Sequence, residues 1–237
     1  MFFAIGVTSC TKYNLVASST TGNNTAIEPI PADTTSGAIG FLALGDSYTI
    51  GASVEAKDRF PAQTKVILEK NGIQPGGLHY IAVSGWTSAN LLSAIANQTP
   101  SDSFKIVTLL IGVNDQYRGY DITEYSKHFT GLLEKSITLA GGKRNHVFVL
   151  SIPDYSVTPF ASGGNREQIR KEIDAFNEVN KNITLSYNIS YIDITPVSRE
   201  ALNDPALIAQ DGLHPSGKMY ARWAEMLNAE IQRKWKQ

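Results

Sequence analysis

The sequence has a single cysteine, Cys10, so the chain cannot form a disulfide bond within itself. Charged residues make up 18% of the chain, below the roughly 25% of typical domains, and their formal net charge is −1. No strong field of either sign is therefore present to attract nucleic acid or an anionic membrane surface. Beyond the N-terminus, no apolar run approaches the roughly 20 residues of a membrane span. We therefore expect neither a nucleic-acid partner nor a membrane span beyond the N-terminus.

The N-terminal region combines a short apolar run with a polar stretch. Residues 2–10 end at a cysteine, and Val7-Thr8-Ser9-Cys10 resembles a bacterial lipobox, although no Lys or Arg precedes the apolar run. Residues 11–37 are rich in Ser, Thr, Asn, Pro and Gly and have too few large apolar side chains to order themselves. We therefore expect a signal or lipobox-like segment over 1–10, a flexible linker over 11–37, and an exported lipoprotein anchored to a bacterial membrane at Cys10. An incidental cysteine in a leftover apolar segment is the alternative.

From residue 38 onward, short apolar runs alternate with longer amphipathic patterns. The runs are rich in β-branched residues and almost continuously apolar, as parallel strands buried on both faces are. The predicted strands span residues 39–44, 79–83, 105–111, 146–152 and 190–194. The predicted helices span residues 59–71, 88–97, 122–140, 166–187 and 218–236. This alternation predicts one α/β domain with a parallel sheet covered by helices.

Four short motifs follow the predicted strands or precede the last predicted helix. Gly45-Asp46-Ser47 ends the first strand, and Gly85 lies just beyond the second. Gly112-Val113-Asn114-Asp115 follows the third strand, and Asp211-Gly212-Leu213-His214 precedes the last helix. Because open parallel sheets bind ligands at the carboxyl ends of their strands, we expect the motifs to meet there.

The side chains in these motifs are the ones that acyl transfer by serine requires. We predict that Ser47 is the nucleophile, His214 its general base, and Asp211 the carboxylate that orients the imidazole. The oxyanion donors would be the backbone N–H groups of Ser47 and Gly85 and the side-chain amide of Asn114. Each motif taken singly has an ordinary structural explanation, such as a turn glycine or a helix cap. The prediction depends on their order and placement.

Through these four motifs the chain resembles the SGNH hydrolases, the GDSL esterase/lipase superfamily, from about Phe41 to the C-terminus. The resemblance implies a flavodoxin-like three-layer α/β/α fold, with a five-stranded parallel sheet, over residues 38–237. It also implies a Ser-His-Asp triad and ester hydrolysis without a metal or other cofactor. Tyr48 departs from the family pattern, which more commonly has Leu after Gly-Asp-Ser, and this difference is expected to reshape the pocket.

Other catalytic motifs are missing from the sequence. It has no Gly-x-Ser-x-Gly elbow, no phosphate-binding glycine loop and no His-Glu-x-x-His, so we predict neither a metal nor a cofactor.

Tyr48, Trp86, Tyr117 and Arg118 each lie directly beside a catalytic motif, and we predict that they bind substrate. The alternative is that these four residues only form the walls of the site.

These observations predict a serine esterase that hydrolyses carboxylic esters through an acyl-enzyme. We expect its substrates to be short-chain acyl or acetyl esters, carried on a small molecule, a carbohydrate or a lipid. An acyltransferase that passes the same acyl group to an alcohol is one alternative. A non-catalytic binding protein on the same fold is another, although the intact Ser47, Asn114, Asp211 and His214 argue against it.

Overall fold

The computed structural model describes residues 25–27, 39–96 and 103–235. Cys10 and most of the predicted linker lie outside these ranges, so the lipid anchor and the linker stay predictions. Within the described ranges, none of the helices combines the length and the apolar character that crossing a membrane requires.

One six-stranded sheet forms the centre of the fold. Its strands are β1 Thr25–Ile27, β2 Ile39–Gly45, β3 Leu78–Val83, β4 Phe104–Leu110, β5 Val147–Leu150 and β6 Ser190–Ile192. Their spatial order is β1-β3-β2-β4-β5-β6, and strands β2 to β6 are parallel. The predicted five-stranded parallel sheet is therefore confirmed, with each of the five strands ending within two residues of its predicted bounds.

The central strand β2 shows why this sequence forms a parallel sheet. Residues 41–44 have no exposed surface, so both faces of the strand are covered. Leu44 pairs in register with Ile81 of β3 on one side and with Leu109 of β4 on the other. A continuously apolar run is stable only in such a doubly covered position.

Helices flank the sheet in two groups. The helices are α1 Ser47–Ile50, α2 Phe60–Lys70, α3 Ser88–Ile95, α4 Val113–Tyr117, α5 Ile122–Leu139, α6 Arg166–Ser186, α7 Thr195–Arg199 and α8 Gly217–Trp235. Helix α2 packs against α8, whereas α3 and α6 pack against α5. The five long helices agree with the predicted ones, and the short helices α1, α4 and α7 were not predicted.

Helix α6 shows how the local sequence determines where a helix begins and which of its faces is buried. Its side chains Ile173 and Phe176 are buried, and they belong to an apolar stripe with a helical period. Asn165 caps the helix by accepting a hydrogen bond from the Gln168 N–H at 3.0 Å, as its position before the stripe predicts.

The edge strand β1 lies within the segment that was predicted to be a linker. Thr25 pairs with Val83 and Ile27 with Ile81, antiparallel to β3. These three residues thus add a strand to the sheet, and here the structure differs from the sequence prediction. A three-residue strand has too little periodicity to be recognised locally, because its pairing depends on the free edge of β3.

The order of the parallel strands creates a crevice at their carboxyl ends. The chain passes from β2 to β3 on one side of the sheet and then returns to β4 on the other side of β2. This is the flavodoxin-like order, in which the connections after two neighbouring strands leave in opposite directions and open a binding crevice. The loops after β2 and β4 therefore border the crevice, and they carry Ser47 and Asn114.

Candidate active site

Ser47 is placed at the carboxyl end of the central strand by a sharp strand-to-helix turn. Asp46 caps α1 by accepting a hydrogen bond from the Tyr48 N–H at 3.0 Å, so Ser47 becomes the first helical residue. The N–H groups in the first turn of a helix have no acceptor within that helix. The Ser47 N–H therefore has no acceptor within α1, as a predicted oxyanion donor requires. Tyr220 of α8 donates its hydroxyl hydrogen to the Tyr48 carbonyl at 2.9 Å and holds this turn in place.

Asp211 and His214 form the contact that a general base and its orienting carboxylate require. His214 Nδ1 lies 2.6 Å from Asp211 Oδ2. The other carboxylate oxygen, Oδ1, accepts hydrogen bonds from the backbone N–H groups of Leu213 and His214, each at 2.9 Å. This local turn fixes the carboxylate against the ring and leaves the Nε2 atom of His214 available for a proton from a nucleophile.

Ser53 is a further partner of the same carboxylate. Its hydroxyl group donates a hydrogen bond to Asp211 Oδ2 at 2.6 Å, across 158 residues of sequence. Burial by itself would raise the pKa of Asp211, but hydrogen bonds from His214, Ser53 and two backbone N–H groups hold that pKa well below its usual range. Asp211 therefore stays ionised at every pH where an esterase works, which suits a carboxylate that orients an imidazole.

We expect Ser53→Gly to lower kcat about 3- to 10-fold with little change in KM, because it removes one hydrogen bond to the orienting carboxylate. Ser53 has a φ of +66°, a conformation that glycine adopts without strain, so thermal stability should not fall. Steady-state kinetics beside thermal unfolding checks this expectation. The matched variant Ser53→Ala removes the same hydroxyl group and keeps the backbone strain, so its kcat should fall equally. Wild-type kcat in both variants would show that Ser53 does not position Asp211.

Gly85 lies in a tight turn directly after β3. The Trp86 N–H donates to the Val83 carbonyl at 3.2 Å, and Gly85 has a φ of +80°. A positive φ at the third position of such a turn is typical of glycine. Arg118 Nη2 holds this loop by donating to the Gly85 carbonyl at 2.9 Å.

Asn114 enters the crevice from the short helix α4, which Gly112 begins. Gly112 has a φ of +129°, and a Cβ atom there would lie 2.7 Å from Ile152 Cδ1 and 2.8 Å from the Tyr125 hydroxyl oxygen. Only glycine fits this turn. The Asn114 amide Nδ2 donates to the Trp86 carbonyl at 3.0 Å, which links the loops that follow β3 and β4. The predicted donors Gly85 and Asn114 are thereby held in a fixed relation.

Asp115 makes a second link between the same two loops. Its carboxylate accepts hydrogen bonds from the Ser88 N–H at 2.8 Å and from the Ser88 hydroxyl group at 2.5 Å. Burial raises the pKa of Asp115, whereas the two bonds from Ser88 oppose that rise. Asp115 therefore ties α4 to the first residue of α3 and supports the loop that contains Gly85.

Asp46 is fully buried beneath the site. Burial raises its pKa from the ordinary value of 3.8 to about 7, while the Tyr48 N–H opposes the rise and the nearby Asp115 adds to it. Its Oδ2 atom lies 3.5 Å from Asn114 Nδ2. Asp46 thus connects the turn that carries Ser47 with the predicted amide donor.

The raised pKa of Asp46 predicts a pH dependence of stability. Between pH 3.8 and about 7 the folded carboxyl keeps its proton while the unfolded one has lost it, so the free energy of unfolding should fall as the pH rises. Asp46→Asn cannot ionise but keeps an oxygen for the Tyr48 N–H. Between pH 3.8 and about 7 the unfolding free energy of Asp46→Asn should therefore fall less than that of the wild type, by a difference on the order of a few kcal/mol. Denaturant unfolding of both proteins at several pH values measures this difference, and parallel curves would contradict the raised pKa.

One cavity of about 130 Å³ lies among the predicted catalytic groups. Ser47, Asn114 and His214 line it together, although they come from three separate loops. The rest of its lining is largely apolar and consists of Tyr48, Val113, Tyr117, Tyr155, Phe160 and Leu213. The cavity therefore brings the predicted nucleophile, the predicted base and the predicted amide donor to one largely apolar space.

Comparison with known proteins agrees with this geometry. Residues 43–222 match the GDSL-like Lipase/Acylhydrolase family. The chain belongs to this family. The match confirms the family predicted from the four motifs, and the predicted class of enzyme, an ester hydrolase, agrees with it.

Acetylxylan esterases resemble this chain in sequence or in structure. An acetylxylan esterase of Geobacillus stearothermophilus is 29% identical over 133 residues, and the match covers 54% of this chain and 60% of that relative. The structure of Axe2, an acetylxylan esterase from Geobacillus stearothermophilus, has a TM-score of 0.61 at 23% identity and covers 81% of this chain and 95% of its own. The acetyl xylan esterase AlAXEase has a TM-score of 0.65 at 15% identity, with coverages of 81% and 100%. At these identities the two structures show a shared fold.

Of the four residues predicted to bind substrate, two line the cavity and two lie outside its lining. Tyr48 and Tyr117 line the cavity, and the Tyr48 ring lies edge-on to the His214 ring at a centroid distance of 5.5 Å. Trp86 packs partly buried against the core, and Arg118 is bonded to the Gly85 carbonyl. Neither Trp86 nor Arg118 belongs to the cavity lining. Their contacts hold the loop after β3.

Sequence reasoning missed several residues that the fold brings to the site. Ser53 contacts Asp211, and Tyr155, Phe160 and Leu213 line the cavity. Tyr155 and Phe160 lie in a loop with no catalytic motif, so only the fold could identify them. Asp154, in the same loop, accepts a hydrogen bond from the Ser156 N–H and pairs with Arg199, so its carboxylate holds the loop together. In the part of the chain that the structure describes, no group of three or more His, Cys, Asp or Glu residues could hold a metal ion.

Proposed function

We propose that the protein hydrolyses uncharged carboxylic esters through an acyl-enzyme on Ser47. The observation that carries the proposal is the 2.6 Å contact between His214 Nδ1 and Asp211 Oδ2 beside the cavity that Ser47, Asn114 and His214 share. A base oriented by a carboxylate next to a serine is the constellation that activates a hydroxyl nucleophile.

The first half of the reaction forms the acyl-enzyme. The Ser47 Oγ atom attacks the ester carbonyl carbon while its proton passes to His214 Nε2, and Asp211 stabilises the imidazolium that results. The negative oxygen of the tetrahedral intermediate accepts hydrogen bonds from the Ser47 and Gly85 N–H groups and from Asn114 Nδ2. The intermediate then expels the alcohol, which takes its proton from His214.

The second half releases the acid by the same groups. His214 takes a proton from a water molecule, whose oxygen attacks the acyl carbonyl carbon, and the same three donors stabilise the second tetrahedral intermediate. Collapse of that intermediate breaks the bond to Ser47 Oγ, which regains a proton from His214. The carboxylic acid leaves and the free enzyme is restored.

The substrate we propose is a short acyl ester, in particular an acetyl group carried on a carbohydrate. Two features support this choice. The relatives described above include proteins named acetylxylan esterases. In addition, the cavity of about 130 Å³ has to hold the acyl portion and the adjoining part of the alcohol portion close to Ser47.

A panel of esters tests the proposal. Purified protein is assayed with 4-nitrophenyl acetate, butyrate and octanoate, and with acetylated xylan, each with and without added glycerol as an acyl acceptor. We expect the highest kcat/KM for acetate, release of acetic acid from the polysaccharide, and free acid as the main product in both conditions. Glyceryl ester as the main product would identify an acyltransferase, and a lack of turnover on every ester would overturn the proposal.

A further inference from the structure

Two exposed aromatic side chains lie beside the predicted nucleophile. Tyr117 is 54% exposed and Phe160 is 40% exposed, and both line the cavity that contains Ser47 and His214. Their ring centroids are 6.0 Å apart, and each lies 6.2 to 6.3 Å from the ring of buried Tyr155. We call these three rings, Tyr117, Tyr155 and Phe160, the aromatic platform. Exposed aromatic surface that lines a cavity is typical of a binding site.

The aromatic platform is held rigidly relative to the catalytic groups. Tyr117 is the last residue of α4, the short helix that also carries Asn114. The Phe160 N–H donates to the Gly212 carbonyl at 2.9 Å, within the turn that joins Asp211 to His214. A molecule bound on the platform therefore lies at a fixed position relative to the oxyanion donor and the base.

The charge of the cavity limits what the platform can bind. None of the described residues that line the cavity is a Lys, Arg, Asp or Glu. Arg118 is the nearest cation in sequence, and its Nη2 atom is bonded to the Gly85 carbonyl. A phosphate or other anionic group on the alcohol portion would lose its hydration and would meet no Lys or Arg side chain in the lining, which is costly. The alcohol portion of the substrate is therefore expected to be neutral.

We propose that the aromatic platform binds a neutral pyranose ring in the alcohol portion of the ester, packed against Tyr117 and Phe160, whose ring planes are tilted by 49° to one another. The inference rests on the proposed function and names the part of the substrate that these two rings recognise. A pyranose presents a face of C–H groups that packs on an aromatic ring, while its hydroxyl groups remain at the edge in water. Half-exposed rings suit such a ligand, whereas a long acyl chain gains more from an enclosed apolar channel.

Selective loss of sugar esters tests the proposal. The wild type, Tyr117→Ala and Phe160→Ala are compared on acetylated xylotriose and on ethyl acetate, which has no ring. The ratio of kcat/KM for the sugar ester to that for ethyl acetate should fall about tenfold in each variant, mainly through KM. Tyr117→Phe keeps the ring and should keep the ratio. Tyr120→Ala is the matched control, since Tyr120 lies three residues after Tyr117, is 47% exposed and does not line the cavity.

A binding measurement separates this proposal from the proposed function. Unacetylated xylotriose is titrated into Ser47→Ala by calorimetry or NMR, with and without Tyr117→Ala, so that the readout needs no hydrolysis. We expect the dissociation constant to rise about tenfold when the Tyr117 ring is removed. If the wild type hydrolyses no ester but removal of the Tyr117 ring still weakens xylotriose binding, the proposed ester hydrolysis is wrong and the proposed sugar site is supported. Equal losses of kcat/KM on acetylated xylotriose and ethyl acetate, which leave their ratio unchanged, would overturn the sugar site. A loss confined to 4-nitrophenyl octanoate would also overturn it.

Discussion

Ser47→Ala is expected to lower kcat for ester hydrolysis by about 10⁴- to 10⁶-fold, because no other group can form the acyl-enzyme. The residual rate would come from substrate binding and the oxyanion donors alone. Ser47 is 7% exposed at the end of β2, and its replacement removes one oxygen without opening a cavity in the core. Thermal stability should therefore be close to that of the wild type.

The control for this variant is Ser186→Ala. Ser186 is exposed at the end of α6 and donates its hydroxyl hydrogen to the Ile183 carbonyl, far along the chain from the site. Full activity in Ser186→Ala shows that loss of a serine hydroxyl group is not harmful in itself. If Ser47→Ala kept more than about a tenth of wild-type turnover, Ser47 could not be the nucleophile.

Asn114→Ala is expected to lower kcat by about 10²- to 10³-fold with little change in KM, the usual effect of losing one oxyanion donor. The amide binds the negatively charged oxygen of the intermediate more strongly than the neutral carbonyl of the substrate, so the transition state is affected most. Steady-state kinetics on 4-nitrophenyl acetate measures both constants.

The control here is Asn182→Ala, on the exposed surface of α6. Its kinetics should match those of the wild type. Asn114 also donates to the Trp86 carbonyl, so circular dichroism and thermal unfolding need to accompany the assay. An increase in KM at constant kcat would place Asn114 in substrate binding and would remove it from the oxyanion hole.

The parts of this fold that could be predicted from sequence are those with local signals. Strand β2 is continuously apolar, and α6 has both a helical stripe and a capping Asn165, so each could be recognised alone. The Asp211–His214 contact was also predictable, because three residues of spacing within one turn bring the two side chains together. Motif order then indicated which loops would meet.

The missed features depend on long-range contacts. The hydrogen bond from Ser53 to Asp211 joins residues 158 positions apart, and the ring contact between Tyr117 and Phe160 joins two separate loops. The hydrogen bond from Arg118 to the Gly85 carbonyl likewise joins residues 33 positions apart, and the role of Arg118 in substrate binding stays a prediction. Such pairings are set by packing of the whole domain, and local sequence carries no periodic signal for them.

Covalent labelling tests the central claim, an activated Ser47, most directly. The protein is incubated with a fluorophosphonate, and its intact mass and its peptides are then analysed by mass spectrometry. The account predicts one adduct per chain, on the peptide that contains Ser47, with no adduct in Ser47→Ala and much slower labelling in His214→Ala. Stoichiometric labelling of Ser47→Ala, or active protein with an unlabelled Ser47, would contradict it.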